Sequence, residues 1–435
     1  MRRVYLLILV GIFLKLPGFA QTNRYVVFFT DKQNNTYSIE QPEEFLSERA
    51  IQRRTRQNIA ITGKDLPPTQ AYLNELADKG AKILYTSRWM NAALVEADES
   101  MIPTIESLAA VARLEYVALG DSRARRSGYS FSFRNSRRQE LSTRLQNEMI
   151  GIDNMHSAGL KGENMWIAIF DGGFQGADTI RYFRHLYDNN KVMATRDFVG
   201  HGADVYRYDD HGTNVFSCLG GYDPQLYSGT APQASYVLCV TEAVNSEFRV
   251  EEYNWLFAAE YADSLGVDII NSSLGYSTFD DRGMDYTYDD LDGDKAVITR
   301  AADYAASVGM LVVTSAGNER NNNWKYIVAP ADADTILAVG AVNSIFNPTN
   351  FTSAGPTVDG RVKPEVAALG EGVRLVNNAG TVTSNNGTSF ASPLIAGLAA
   401  GVWQAKPELT NMEVIQLLKS SASQSMDPDS LIVFF

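Results

Sequence analysis

The sequence predicts an α/β protein: a mostly parallel central sheet, preceded by a smaller α/β unit. Three observations carry that reading. Apolar runs of strand length recur through the second part of the chain and are nearly continuous, as in strands covered on both faces. Helix-like segments lie between those runs, and such alternation marks a parallel sheet. The chain also divides by charge: residues 1–150 hold 21 basic and 16 acidic side chains, whereas residues 151–435 hold 17 and 35. The 435 residues, at roughly 150 residues to a domain, leave room for both units and a sizeable core. A hydrophobic share of 45% against 20% charged excludes a disordered or low-complexity chain. The net charge of −13 argues against a nucleic-acid binder.

The elements follow in chain order. Arg2 and Arg3 precede an apolar stretch at 4–13, and Gly18 and Ala20 put small residues ahead of a cut before Gln21. That is the pattern of a secretion leader over residues 1–20. The run is too short to anchor the chain in a membrane. The protein is therefore expected outside the cell or in the periplasm, with no membrane span. Residues 25–29 read as a strand, 42–60 as a charged amphipathic helix, and 69–80 as a second helix stopped by Gly80. Residues 82–85 and 92–97 alternate like strands, 102–111 read as a helix and 116–118 as a strand. Residues 121–144 carry seven Arg among Ser, Gly and Asn, and read as an exposed, cleavable linker. Beyond it, strands are expected at 165–170, 234–240, 267–271, 310–314 and 336–342, with helices at 250–265 and 294–308.

Four segments at strand or helix ends carry residues suited to chemistry. Asp171 follows the strand at 165–170, at the sheet edge where open α/β folds bind ligands. His211, among small residues, has the near-neutral pKa that suits proton transfer. Asn318 follows the strand at 310–314, and its amide can donate to a developing oxyanion. Ser389 stands at a helix start, where backbone N–H groups favour negative charge. Each alone also has a commonplace reading as a turn, cap or surface residue.

Together the segments IAIFDGGF, HGTNVFS, SAGNE and NGTSFASP, in that order, resemble those of the subtilisin-like serine peptidases, the subtilases. The resemblance implies a three-layer catalytic domain over 145–435. It also implies an inhibitory propeptide over 21–120 that covers the active-site face, and cleavage in the linker 121–144. It makes His211 the general base and acid, Asp171 its orienting partner, Ser389 the nucleophile and Asn318 an oxyanion donor. Ser272, Ser273, Leu274 and Gly275 would pair with an extended peptide, and Ala316 and Gly317 would border its side-chain pocket. The expected function is a secreted endopeptidase working through an acyl-enzyme on proteins or peptides, with no cofactor required for catalysis. Asn214 replaces a second His common in this family, and Gly172-Gly173 varies the Asp segment, but the implied reacting groups are all present. The chain ends 46 residues beyond Ser389, ahead of a Gly-containing segment that commonly closes such domains. An inactive subtilase-like binding protein and an exported esterase stay open as alternatives. The missing G-x-S-x-G at Ser389 argues against the esterase.

Metals and cysteines receive less support. Residues 280–294 hold seven Asp, of which Asp290, Asp292 and Asp294 are candidate ligands for a structural Ca²⁺. They do not complete an EF-hand, and a solvated acidic loop is the plainer reading. His156, His185, His201 and His211 lack zinc-site spacing. Cys218 and Cys239 form either one bridge or two buried thiols.

Overall fold

The computed structural model describes residues 22–120 and 142–423. The leader, nearly all of the Arg-rich linker and the chain end therefore lie outside the described residues.

The front unit is an antiparallel sheet of β1 (Thr22–Phe29), β2 (Lys82–Ser87), β3 (Ala92–Asp98) and β4 (Val111–Leu119), in the order β2-β3-β1-β4. Strand alternation gives it two apolar faces. Tyr25, Val27 and Phe29 pack with Leu73, Leu76 and Ile105, while Val26 and Phe28 point towards the body of the protein. Its helices are α1 (Glu48–Arg56), α2 (Gln70–Asp78) and α3 (Ile102–Glu106). The helix expected over 102–111 stops at Glu106, because Val111 and Leu114 pair in register with Phe29 and Val27. The helix expected over 42–60 is shorter for a local reason: the Ser47 side chain caps it, accepting from the Ala50 N–H at 3.2 Å.

The body opens with α4 (Arg144–Glu148) and α5 (Ile152–Ser157), then β5 (Trp166–Asp171), α6 (Arg184–Asp188), β6 (Val192–Asp197) and α7 (His211–Gly220). A small hairpin of β7 (Tyr222–Asp223) and β8 (Tyr227–Ser228) leads to β9 (Ser235–Val240), α8 (Val250–Leu265) and β10 (Ile269–Ser272). Next come α9 (Val297–Ser307), β11 (Leu311–Ser315), β12 (Leu337–Val342) and β13 (Val366–Leu369). The hairpin of β14 (Val373–Val376) and β15 (Val382–Asn385) precedes α10 (Thr388–Ala405) and α11 (Asn411–Ser421).

The central sheet has seven strands in the order β13-β12-β11-β10-β5-β9-β6, and every pairing is parallel. Period-two alternation splits its side chains between two cores. Ile167, Ile169, Leu238 and Val313 face α7 and α10; Ala168, Phe170, Cys239 and Val312 face α8 and α9. The expected α/β class and parallel sheet are thus observed. β5 lies between β9 and β10, so the chain leaves it towards opposite sides, and a crevice opens at the carboxyl ends of these strands.

The front sheet lies on α8 and α9, the face expected to be covered being a different one. Phe28 meets Tyr253 edge-on at 6.4 Å, and Trp89 stacks on Tyr304 at 4.7 Å. Arg53, Arg54 and Arg88 all pair with buried Asp263. None of residues 22–120 lines the crevice. The apolar second face of the front sheet accounts for this placement, since it completes the cover over α8. Among the described residues, no helix is long and apolar enough to cross a membrane.

Candidate active site

Asp171 ends β5 and is fully buried. Its Oδ1 accepts the Gly172 N–H at 2.8 Å, and its two oxygens lie 2.9 and 3.0 Å from Nδ1 of His211. A carboxylate only accepts, so Nδ1 carries a proton, and in the neutral ring Nε2 keeps a free lone pair. Burial raises the Asp171 carboxyl pKa. Burial also works against the imidazolium of His211, but the Asp171 charge outweighs it. With Glu242 and Asp209 behind, the His211 pKa is raised to about 9.

Ser389 is the second residue of α10 and is half-buried. The chain enters this helix through Gly387 at φ +151°, a backbone state that side chains disfavour. Ser389 Oγ donates to the Ser273 carbonyl at 3.4 Å, and Ser273 Oγ donates to the Ser389 carbonyl at 2.8 Å. The β10 end and the start of α10 are thereby stitched together. The His211 ring packs on Phe390 with centroids 5.6 Å apart, which holds it beside the residue following Ser389.

Asn318 follows β11 and is exposed. Its Oδ1 accepts from the N–H of Thr388 at 3.0 Å and from the Thr388 hydroxyl at 3.1 Å. A backbone N–H can only donate, so the amide orientation is fixed and the NH₂ group is what Asn318 offers to a ligand.

Asp171, His211, Asn318 and Ser389 line one cleft of about 940 Å³, together with Ser273, Leu274, Gly275 and Gly317. Two of the expected substrate contacts are not in its wall. Ser272 is buried and accepts from the Trp255 indole at 3.0 Å, and buried Ala316 bonds back to the Val339 carbonyl at 2.9 Å. Both support the wall from beneath, because strand alternation turns every second residue away from it.

The acidic loop is put to other uses. Asp290 accepts from the N–H and hydroxyl of Thr287, at 2.7 and 2.8 Å, and pairs with Lys295. Asp292 accepts the N–H groups of Asp294 and Lys295, both at 2.9 Å. Among the described residues, the acids grouped closely enough to hold a cation are instead Glu242, Glu247 and Glu251. Sequence reading passed over them, although Glu242 follows β9 at the same sheet edge as Asp171, and four Glu stand against one Arg between 242 and 252. Cys218 and Cys239 are free, buried thiols on opposite faces of the sheet.

Comparison with known proteins agrees with this geometry. The subtilase family model matches residues 162–432. The chain belongs to the subtilase family. The front of this subtilase, residues 24–129, matches the peptidase S8 propeptide domain of Bacteroidota. The subtilase is 28% identical over 353 residues to subtilisin E of Bacillus subtilis (strain 168), covering 80% of each chain. It is 30% identical over 274 residues to a subtilisin of Bacillus pumilus, covering 62% of this chain and 87% of that one. Its fold resembles the solved MycP3 protease from the type VII (ESX-3) secretion system, at TM-score 0.53 and 23% identity, over 68% of this chain and 86% of that chain. Like its family, this subtilase is an exported serine endopeptidase, and its propeptide domain is an inhibitor carried in the same chain.

Proposed function

We propose that Ser389, His211 and Asp171 carry out peptide hydrolysis, with Asn318 and the Ser389 N–H as the oxyanion donors. The observation that carries this is the shared cleft: the Asp171–His211 pair, the free Asn318 amide and Ser389 at a helix start all open onto it. Neutral His211 takes the Ser389 proton at Nε2 as Oγ bonds to the scissile carbonyl carbon. Asp171 holds the tautomer and offsets the imidazolium charge that develops. The carbonyl oxygen becomes an anion facing donors that need no reorganisation. His211 then gives its proton to the leaving amine as the C–N bond breaks. Water attacks the acyl-enzyme by the same route and restores Ser389. Ser273, Leu274 and Gly275 supply backbone to an extended substrate along one wall.

We further propose that residues 21–120 form the propeptide and 145–435 the catalytic domain, with maturation inside 121–144. The test is turnover of casein and of small peptides by the protein recovered after expression of the full chain. Wild type is expected to cut both, and Ser389→Ala neither. Peptide turnover by a folded Ser389→Ala variant would refute the assignment.

A further inference from the structure

Asn271 stands on an apolar strand face. Alternation along β10 puts it on the same side as Ile269, which packs in the core under α7 and α10. It is fully buried there. A buried amide costs stability unless it is hydrogen-bonded, so its partners show what keeps it in place. Its Oδ1 lies 2.9 Å from the Ser392 hydroxyl and its Nδ2 3.2 Å from the Ser273 hydroxyl. Ser392 is fully buried in α10, three residues after Ser389 and so on the same side of that helix.

A proton count fixes the direction of these bonds. The Ser273 hydroxyl has one proton, and it goes to the Ser389 carbonyl at 2.8 Å, which can only accept. Ser273 Oγ is therefore an acceptor towards Asn271, and the Asn271 NH₂ group faces it. That leaves Asn271 Oδ1 towards Ser392, whose hydroxyl donates. Three bonds thus run one way, from Ser392 to Asn271 to Ser273 to the Ser389 carbonyl. Chained bonds polarise one another in a low-dielectric interior, which strengthens each.

The chain ends on a carbonyl that the helix cannot satisfy in its usual way. The residue four positions after Ser389 is Pro393, which has no N–H to return the ordinary helical bond. The Ser273 hydroxyl takes that place. The Ser273 carbonyl in turn accepts the Ser389 Oγ at 3.4 Å, so one residue grips both the main chain and the hydroxyl of Ser389.

We propose that Asn271 and Ser392 are positioning residues for the reaction. Acting through Ser273, they fix the Ser389 backbone, and with it the aim of the nucleophile and of the Ser389 N–H. This rests on the peptidase reading above. Neither Asn271 nor Ser392 lines the cleft, so both act on Ser389 rather than on the substrate. Without them the Ser273 hydroxyl loses the donor that holds it and is free to turn. Small misplacements of reacting groups cost rate.

The test is cleavage of a small peptide by the protein recovered after expression of the full chain, with rates divided by the concentration of sites that a serine-reactive phosphonate titrates. Ser392→Ala and Asn271→Ala are each expected to lower kcat by about tenfold, roughly the worth of one hydrogen bond, with KM unchanged. Ser392→Thr, which keeps the hydroxyl, is expected to restore most of the rate. The double variant is expected to fall no further than the worse single one, because both changes break the same chain of bonds. A purely structural role would lower Tm and the titrated fraction and leave kcat per titrated site as in wild type, and that result overturns the assignment. So does a loss confined to KM, or losses that multiply in the double variant. If Asn271→Ala does not fold, Ser392→Ala against Ser392→Thr decides alone. Turnover by wild type with unchanged variants refutes only the positioning role, whereas a wild type that cuts no peptide refutes the peptidase reading and this role with it.

Discussion

At the scale of single residues, the account turns on protonation of His211 and on the donors of Asn318. His211 acts as a base only when neutral, and its pKa is raised to about 9 by Asp171, Glu242 and Asp209 against the pull of burial. The active form is the deprotonated one, so kcat/KM should rise with pH and reach half its plateau near 9. A pH–rate profile already flat above the ordinary histidine pKa of about 6.5 would contradict this. Glu242→Gln removes a negative neighbour and should move the midpoint down. Asn318→Ala should lower kcat by about 100- to 1000-fold with little change in KM, since the donor acts on charge that exists only in the transition state. A loss confined to KM would reassign Asn318 to substrate binding. The four residues proposed for catalysis were legible because each sits in a characteristic local segment. Glu242, Glu247 and Glu251 were not, because their nearness comes from a loop folding back, and a list of charges does not show it.

At the scale of elements, α10 is the piece that fixes Ser389, and it is held by close approach. A Cβ at Gly397 would fall 1.9 Å from the hydroxyl oxygen of buried Thr230. Gly397→Ala should therefore destabilise the protein by about 1–3 kcal/mol through overpacking, although Ala is otherwise the better helix former. Thermal unfolding measures it, and an unchanged or higher Tm would show that the helix can shift. Strand legibility followed burial. β5 reads as one apolar run because both its faces are covered, with Ile167 and Ile169 on one side and Ala168 and Phe170 on the other. β6 escaped notice because it is an edge strand ending Thr195-Arg196-Asp197 and is only partly buried. The short β14 and β15 likewise lack a continuous apolar run, since their pairing rather than their composition makes them strands.

At the scale of the whole molecule, the joint between the front unit and the body combines aromatic contacts with three buried acids, Asp263, Glu260 and Asp268. Burial works against the Asp263 charge, but Arg88, Arg53 and Arg54 outweigh it and lower its pKa. The Asp263 contribution is thus present above the usual carboxylate range and is lost as pH falls through its depressed pKa. Asp263→Ala would leave three arginines without this partner, at a cost of about 3–5 kcal/mol. The full chain should then show a front unit that is cleaved faster in limited proteolysis. Equal protection in the variant would mean that the apolar contacts and the pairs to Glu260 and Asp268 hold the joint without Asp263. Charge counting could not find this contact, because residues 21–120 are close to neutral overall and Arg88 lies far along the chain from Arg53 and Arg54. The two-unit organisation itself was legible, from the Arg-rich stretch between two differently patterned halves. The central claim is that Ser389 is the nucleophile. Its most direct measurement is mass-spectrometric mapping of the active protein after treatment with a serine-reactive phosphonate. One adduct on the peptide containing Ser389, lost in His211→Ala, is the expected result. A folded, processed protein that takes up no label, or takes it up on a different serine, would contradict it.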